Sequence, residues 1–84
     1  MKAYYRVTQK FPGNSAKMIM EKIVECKNLY YIAKDVEKKL TGKKKSYGLW
    51  IPMREYCSEF QLVYQFDKKK NGTIADYTLI IKRI

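Results

Sequence analysis

Hydrophobic and polar positions alternate at the start of the chain. Ala3, Tyr5 and Val7 share one parity, and mostly polar or amphipathic residues occupy the other. A period of two places alternate side chains on opposite faces of a strand. Residues 2 to 9 are therefore predicted to form a strand with one buried face.

A turn and a second apolar segment follow. Pro12-Gly13-Asn14-Ser15 is a strong turn signal. In residues 17 to 26, Met20 and Val24 have the same parity, as in a strand, but they are also four residues apart, as on one face of a helix. Because the preceding turn favours a hairpin, we predict a strand that pairs back on the first, with a helix as the alternative.

A helix is predicted after this hairpin. Asn28 is a good N-cap, and Gly42 stands where a left-handed C-cap is expected. The apolar positions between them recur at helical spacing: Leu29, Ile32, Ala33, Val36 and Leu40. This pattern predicts one amphipathic helix of about three to four turns.

Three further alternating segments predict strands in the second half of the chain. They are residues 47 to 53, residues 60 to 66, and a segment from about Thr73 to the end. Pro52 places the first of them at a sheet edge or ends it. Asn71-Gly72 is a typical pair for a tight hairpin turn between the last two.

The predicted order is ββαβββ in a single domain spanning residues 1 to 84. An α+β fold accounts for it, with one amphipathic helix packed on one face of an antiparallel sheet of four to five strands. The other face would be exposed and would mix aromatic, amide and cationic groups. We expect it to carry Tyr4, Arg6, Trp50, Gln61, Val63, Gln65 and Lys82.

Few residue types suited to catalysis are present. The chain has no His and two Cys, so an imidazole base or a His-based metal site is excluded. Cys26 and Cys57 are predicted to be reduced thiols, with a single disulfide as the alternative. Glu21 with Glu25, and Glu55 with Glu59, are interpreted as solvated charges. We expect no cofactor, no metal and no enzymatic activity.

Targeting and membrane segments are not evident. The chain contains no apolar run of signal-peptide or membrane-spanning length. We therefore expect a cytoplasmic protein with no membrane partner.

Charge is the strongest indication of function. Eighteen residues are Lys or Arg and eight are Asp or Glu, which gives a formal net charge of +10. Such an excess predicts a polyanionic partner, either nucleic acid or an acidic surface of a nucleic-acid-binding complex. The candidate binding residues are Lys38, Lys39, Lys43, Lys44, Lys45, Tyr47, Trp50, Arg6, Lys68, Lys69 and Lys70. Two alternatives stay open, namely that Lys68 to Lys70 serve only solubility and that Trp50 packs against a neighbouring strand.

One resemblance covers residues 1 to about 51. The segments MKAYYRV, IVECKNLYYIAKDVEKKL and YGLWI resemble small phage and prophage proteins with a strand hairpin, a capped helix and a sheet, including some type I-F anti-CRISPR proteins. This resemblance implies a non-enzymatic phage or mobile-element inhibitor that binds a host defence complex along its nucleic-acid path. A general nucleic-acid-binding module is an alternative.

A second resemblance covers residues 36 to 66. VEKKLTGKKKSYGLWIPMREYCSEFQLVYQF resembles the back half of RelE/ParE-type toxins, which cleave ribosome-bound mRNA or poison gyrase. It implies a site at Arg54, Tyr64, Lys82 and Arg83. Gln61 stands where that family commonly has Arg, no His follows, and residues 15 to 27 would have to be helical.

Overall fold

The fold is α+β, with one helix and a five-stranded sheet. The computed structural model describes residues 1–70 and 72–84, apart from the side chains of Lys69 and Lys70. The elements are β1 (Lys2–Lys10), β2 (Lys17–Glu25), α1 (Leu29–Thr41), β3 (Ile51–Pro52), β4 (Gln61–Lys70) and β5 (Thr73–Arg83), with a short 3-10 helix at Arg54–Tyr56. Asn71 of the predicted hairpin turn lies outside the described residues.

The strands form one antiparallel sheet in the order β2-β1-β5-β4-β3. The register aligns the apolar parities of neighbouring strands, with Tyr5 opposite Ile81 and Val7 opposite Leu79. Helix α1 covers this apolar face. The fully buried apolar residues of β1 and β5 are Ala3, Val7, Ala75, Leu79 and Ile81.

The opposite side of the sheet carries no helix, and we call it the helix-free face. It consists of the even-numbered residues of β1 and β5, the odd-numbered residues of β4 up to Asp67, and the residues of β2 and β3 paired with them. The predicted members Tyr4, Arg6, Gln61, Gln65 and Lys82 share this face. Val63 does too, but it is buried.

Helix α1 begins and ends at the predicted residues. The side chain of Asn28 accepts a hydrogen bond from the backbone N–H of Tyr30 at 3.0 Å. Gly42 has a φ of 71°, a left-handed conformation that glycine adopts without steric cost. Its N–H donates to the carbonyl of Lys38 at 2.9 Å.

The ambiguous segment forms strand β2, as the turn before it indicated. Its pairing with β1 shifts between Val7 and Thr8, so Ile19 is an additional residue on the β2 side. Such a bulge changes which face the following residues occupy. Met20 consequently packs against the core, whereas Met18 is half exposed.

The strand predicted over residues 47 to 53 is too long, because only Ile51–Pro52 pairs with β4. The prediction that Trp50 lies on the exposed face is also wrong. Its indole Nε1 donates to the carbonyl of Ala33 at 3.0 Å, and its ring meets that of Phe66 edge-on at 4.5 Å between centroids. Trp50 is therefore a core residue under the helix.

Candidate polyanion-binding surface

A buried carboxylate fixes the loop that follows the helix. The side chain of Glu37 is completely buried. Its two oxygens accept hydrogen bonds from the backbone N–H groups of Tyr47, at 2.5 Å, and Leu49, at 2.8 Å. A carboxylate that receives backbone donors in a buried site makes strong, charge-assisted hydrogen bonds. The loop between α1 and β3 is thus tied to the helix.

Glu37 was not among the functional residues predicted from the sequence. A signal for its role is present in the helical spacing. Glu37 completes an i, i+3, i+4, i+7 pattern with Ala33, Val36 and Leu40, and such positions share one face of a helix. A carboxylate on a buried face requires donors, and the nearby loop supplies them.

The fixed loop exposes its lysines. Lys43, Lys44 and Lys45 are all exposed. The Nζ of Lys43 lies 5.2 Å from the ring centroid of Tyr47, within the range of a cation–π contact. Tyr47 itself is 62% exposed. The loop therefore presents three cations beside an accessible aromatic ring.

The second lysine run reaches the same end of the molecule. Lys68 Nζ donates to the carbonyl of Leu40, in the last turn of α1, at 3.0 Å. A cation at this position also complements the negative end of the helix dipole. The contact brings β4 against the C-terminal end of α1, where Lys38 and Lys39 lie. Lys68, which is remote from the first run in sequence, thus lies close to it in space.

We call this region the lysine surface. It comprises Lys38, Lys39, Lys43, Lys44, Lys45, Tyr47 and Lys68. The predicted residues Lys69 and Lys70 lie outside the described side chains. Arg6 is not part of this surface, because it lies on the helix-free face. Trp50 is buried below it.

A groove of about 360 Å³ continues the lysine surface along α1 toward β2. Its floor includes Tyr5 and Ile32, and its rim includes Lys22, Lys27 and Lys39. Lys39 also belongs to the lysine surface, but Glu25 and Asp35 line the groove as well, so its charge is mixed. The groove was not anticipated from the sequence, because it depends on how α1 crosses the sheet.

The residues implied by the RelE/ParE resemblance are only partly brought together. Arg54 and Tyr64 line one cavity of about 470 Å³, and burial raises the pKa of the Tyr64 hydroxyl above its ordinary value of 10.0. Arg83 lines a neighbouring depression, and Lys82 lies on the helix-free face. The helix that this resemblance requires over residues 15 to 27 is not formed, because β2 occupies most of that segment.

The thiols and carboxylates form no obvious reactive group in the part of the chain that the structure describes. Cys26 and Cys57 are free. The Sγ of Cys57 lies 3.4 Å from the backbone N and 3.6 Å from the carbonyl oxygen of Val63. No cluster of three potential metal ligands occurs in residues 1–70 and 72–84.

Comparison with protein-family models, curated proteins and solved structures finds no significant match to this chain. Among the described residues, neither α1 nor the short 3-10 helix is long and apolar enough to cross a membrane.

Proposed function

We propose that this protein binds nucleic acid at the lysine surface and acts by occupying a surface rather than by turnover. One observation carries the proposal. Among the described residues, no cation of the lysine surface forms an ion pair with a carboxylate, and the ion pair that is present joins the amino group of Met1 to Glu25. Cations this dense repel one another, and a phosphate backbone would relieve that repulsion.

The architecture supports a pre-formed site. Glu37 holds the loop by its backbone, so Lys43 to Lys45 are presented without a large ordering cost on binding. Tyr47 adds a ring on which an unpaired base can stack. The six lysines of the surface could together contact about four or five phosphates, which corresponds to a slope of about −4 in a plot of log affinity against log salt.

The direct test changes the charge of the loop. Lys43, Lys44 and Lys45 are replaced together by Glu, and binding of labelled single-stranded and duplex oligonucleotides is measured by fluorescence anisotropy. We expect a loss of at least about a hundredfold in affinity, because several phosphate contacts are reversed in sign. Thermal unfolding should be nearly unchanged, since all three side chains are exposed.

A matched control makes the same change of charge elsewhere. Lys17, Lys34 and Arg83 lie outside both the lysine surface and the helix-free face and are exposed, and their replacement by Glu should reduce affinity far less. Equal losses in the two variants would mean that only net charge matters. Unchanged nucleic-acid binding after replacement of Lys43, Lys44 and Lys45 would show that the lysine surface is not the binding site.

The anti-CRISPR resemblance adds a finer proposal. We infer that the lysine surface competes for a nucleic-acid path in a host defence complex, so that the protein inhibits without catalysis. A pull-down from host lysate before and after nuclease treatment distinguishes a protein partner from a nucleic-acid partner, because only a protein partner survives the nuclease. Turnover of RNA at catalytic ratios, lost on mutation of Arg54 or Tyr64, would contradict the proposal.

A further inference from the structure

The helix-free face differs in charge from the rest of the molecule. Among the described side chains, it carries four cations, namely Lys2, Arg6, Lys10 and Lys82. It also carries four carboxylates, namely Glu21, Glu25, Asp67 and Asp76. The charges of the described side chains on this face thus sum to zero. The other described side chains include twelve Lys or Arg and four Asp or Glu.

This distribution sets the helix-free face apart from the proposed nucleic-acid site. A polyanion gains less from a surface whose described side chains include as many carboxylates as cations than from the lysine surface. A surface with interspersed charges of both signs can complement itself, which a two-fold symmetric interface requires. Its charges therefore favour a second copy of the chain over a nucleic acid.

Apolar groups run across the same face. Ile80 lies between Arg6 and Val63 in one cross-strand row. Toward the two edges, Ile23 on β2 is 61% exposed and Ile51 on β3 is 65% exposed. Large aliphatic side chains at this exposure on both edges of one sheet face indicate a surface that gains from being covered.

Arg6 adds a polar reason for a partner. Its Nε is buried and has no acceptor among the described residues. Unpaired buried donors are uncommon in folded proteins and lower stability. Glu21 lies opposite Arg6 on β2 but accepts a hydrogen bond from Tyr4 at 2.5 Å. A carboxylate of a second copy cannot reach this buried Nε, but the rest of the half-buried Arg6 side chain remains a cation at the centre of the face that such a carboxylate can pair with.

The area of the face suffices for a dimer. Four strands about 4.8 Å apart, each with about nine residues at roughly 3.3 Å per residue, span about 19 Å by 30 Å. Two such faces bury roughly 1,100 Å², just above the lower limit of ~1,000 Å² for a specific interface and below the standard size of ~1,600 Å². We infer that two copies of this chain associate through their helix-free faces, which leaves both lysine surfaces on the outside.

The test uses three substitutions at residues of nearly equal exposure. Ile23→Lys and Ile51→Lys change opposite edges of the helix-free face, and Tyr30→Lys changes a residue on α1 that is 62% exposed. Self-association of each protein is measured by sedimentation equilibrium from about 1 μM to about 1 mM. Circular dichroism confirms that each variant is folded.

We expect Ile23→Lys and Ile51→Lys each to raise the dimer dissociation constant at least tenfold, and Tyr30→Lys to leave it unchanged. A loss confined to Ile23→Lys would show that copies pair along the open edge of β2 and would overturn the inference. A wild-type chain that stays monomeric over the whole range would also overturn it, as would an equal loss with Tyr30→Lys.

Discussion

At the scale of single residues, Glu37 connects the fold to the proposed function. Most charged residues of this chain lie in solvent, but this side chain is completely buried between the helix and the loop. A buried charge is tolerated only where hydrogen-bond donors replace water. The two backbone N–H groups fill that role and set the position from which Lys43 to Lys45 face solvent.

Replacement of Glu37 by Gln tests this role. The amide keeps one acceptor oxygen but directs an NH₂ group at the second backbone donor, which leaves that donor unpaired. We expect the free energy of unfolding to fall by about 1–3 kcal/mol, measured by urea denaturation. Glu55→Gln, at an exposed position of the 3-10 helix, is the control and should change it by less than about 0.5 kcal/mol.

Loss of the hydrogen bonds to Glu37 should also lower the affinity for nucleic acid without changing its salt dependence. The Glu37→Gln variant keeps every lysine, so its salt dependence should match that of the wild type while its affinity is lower. If its stability equals that of the Glu55→Gln variant, the two hydrogen bonds of Glu37 do not hold the loop.

At the scale of elements, the periodicity of apolar residues predicted those helices and strands that depend on local sequence. β1, α1, β4 and β5 have regular patterns and clear boundary residues, such as Asn28 and Gly42. The prediction of a strand over residues 47 to 53 was wrong in length, because tertiary contacts of this segment override its alternating pattern of apolar residues. Glu37 binds the loop backbone, and the indole of Trp50 bonds to the carbonyl of Ala33, so the chain lies under the helix before it reaches the sheet.

The candidate site was partly predictable for the same reason. The run from Lys43 to Lys45 is visible in the sequence, since it depends only on neighbouring residues. That Lys68 joins it is not visible, because the contact with Leu40 spans 28 residues and depends on how α1 packs on the sheet. The bulge at Ile19, which exposes Met18, likewise depends on pairing with β1.

The contact between β4 and α1 leads to a prediction about Lys68. Its ammonium group serves the helix end as well as the lysine surface, so Lys68→Met should lower the free energy of unfolding by about 0.5–1.5 kcal/mol. It should also weaken oligonucleotide binding, because one lysine that contacts a phosphate is lost. Lys45→Met, at an exposed position of the same surface, should weaken binding similarly without affecting denaturation. Equal stability of the two variants would show that Lys68 does not anchor the helix end.

At the scale of the whole molecule, the net charge of +10 opposes the association of two copies. Salt screens that repulsion over a distance of about 8–10 Å at physiological ionic strength. Self-association should therefore strengthen as salt rises, whereas nucleic-acid binding should weaken. A nucleic acid bound at the lysine surfaces would neutralise the same repulsion, so the two equilibria should be coupled in both directions.

This coupling gives the last prediction. At an ionic strength of about 20 mM, where screening is weak, a saturating single strand of about eleven nucleotides, whose roughly ten phosphates match the net charge of +10, should lower the dimer dissociation constant at least tenfold. Sedimentation of the protein with the labelled strand measures this constant. Ile23→Lys should bind the strand and remain a monomer, which separates this effect from bridging of two proteins by one strand. An unchanged dissociation constant when every protein carries a strand would show that the proposed interface and the lysine surface act independently.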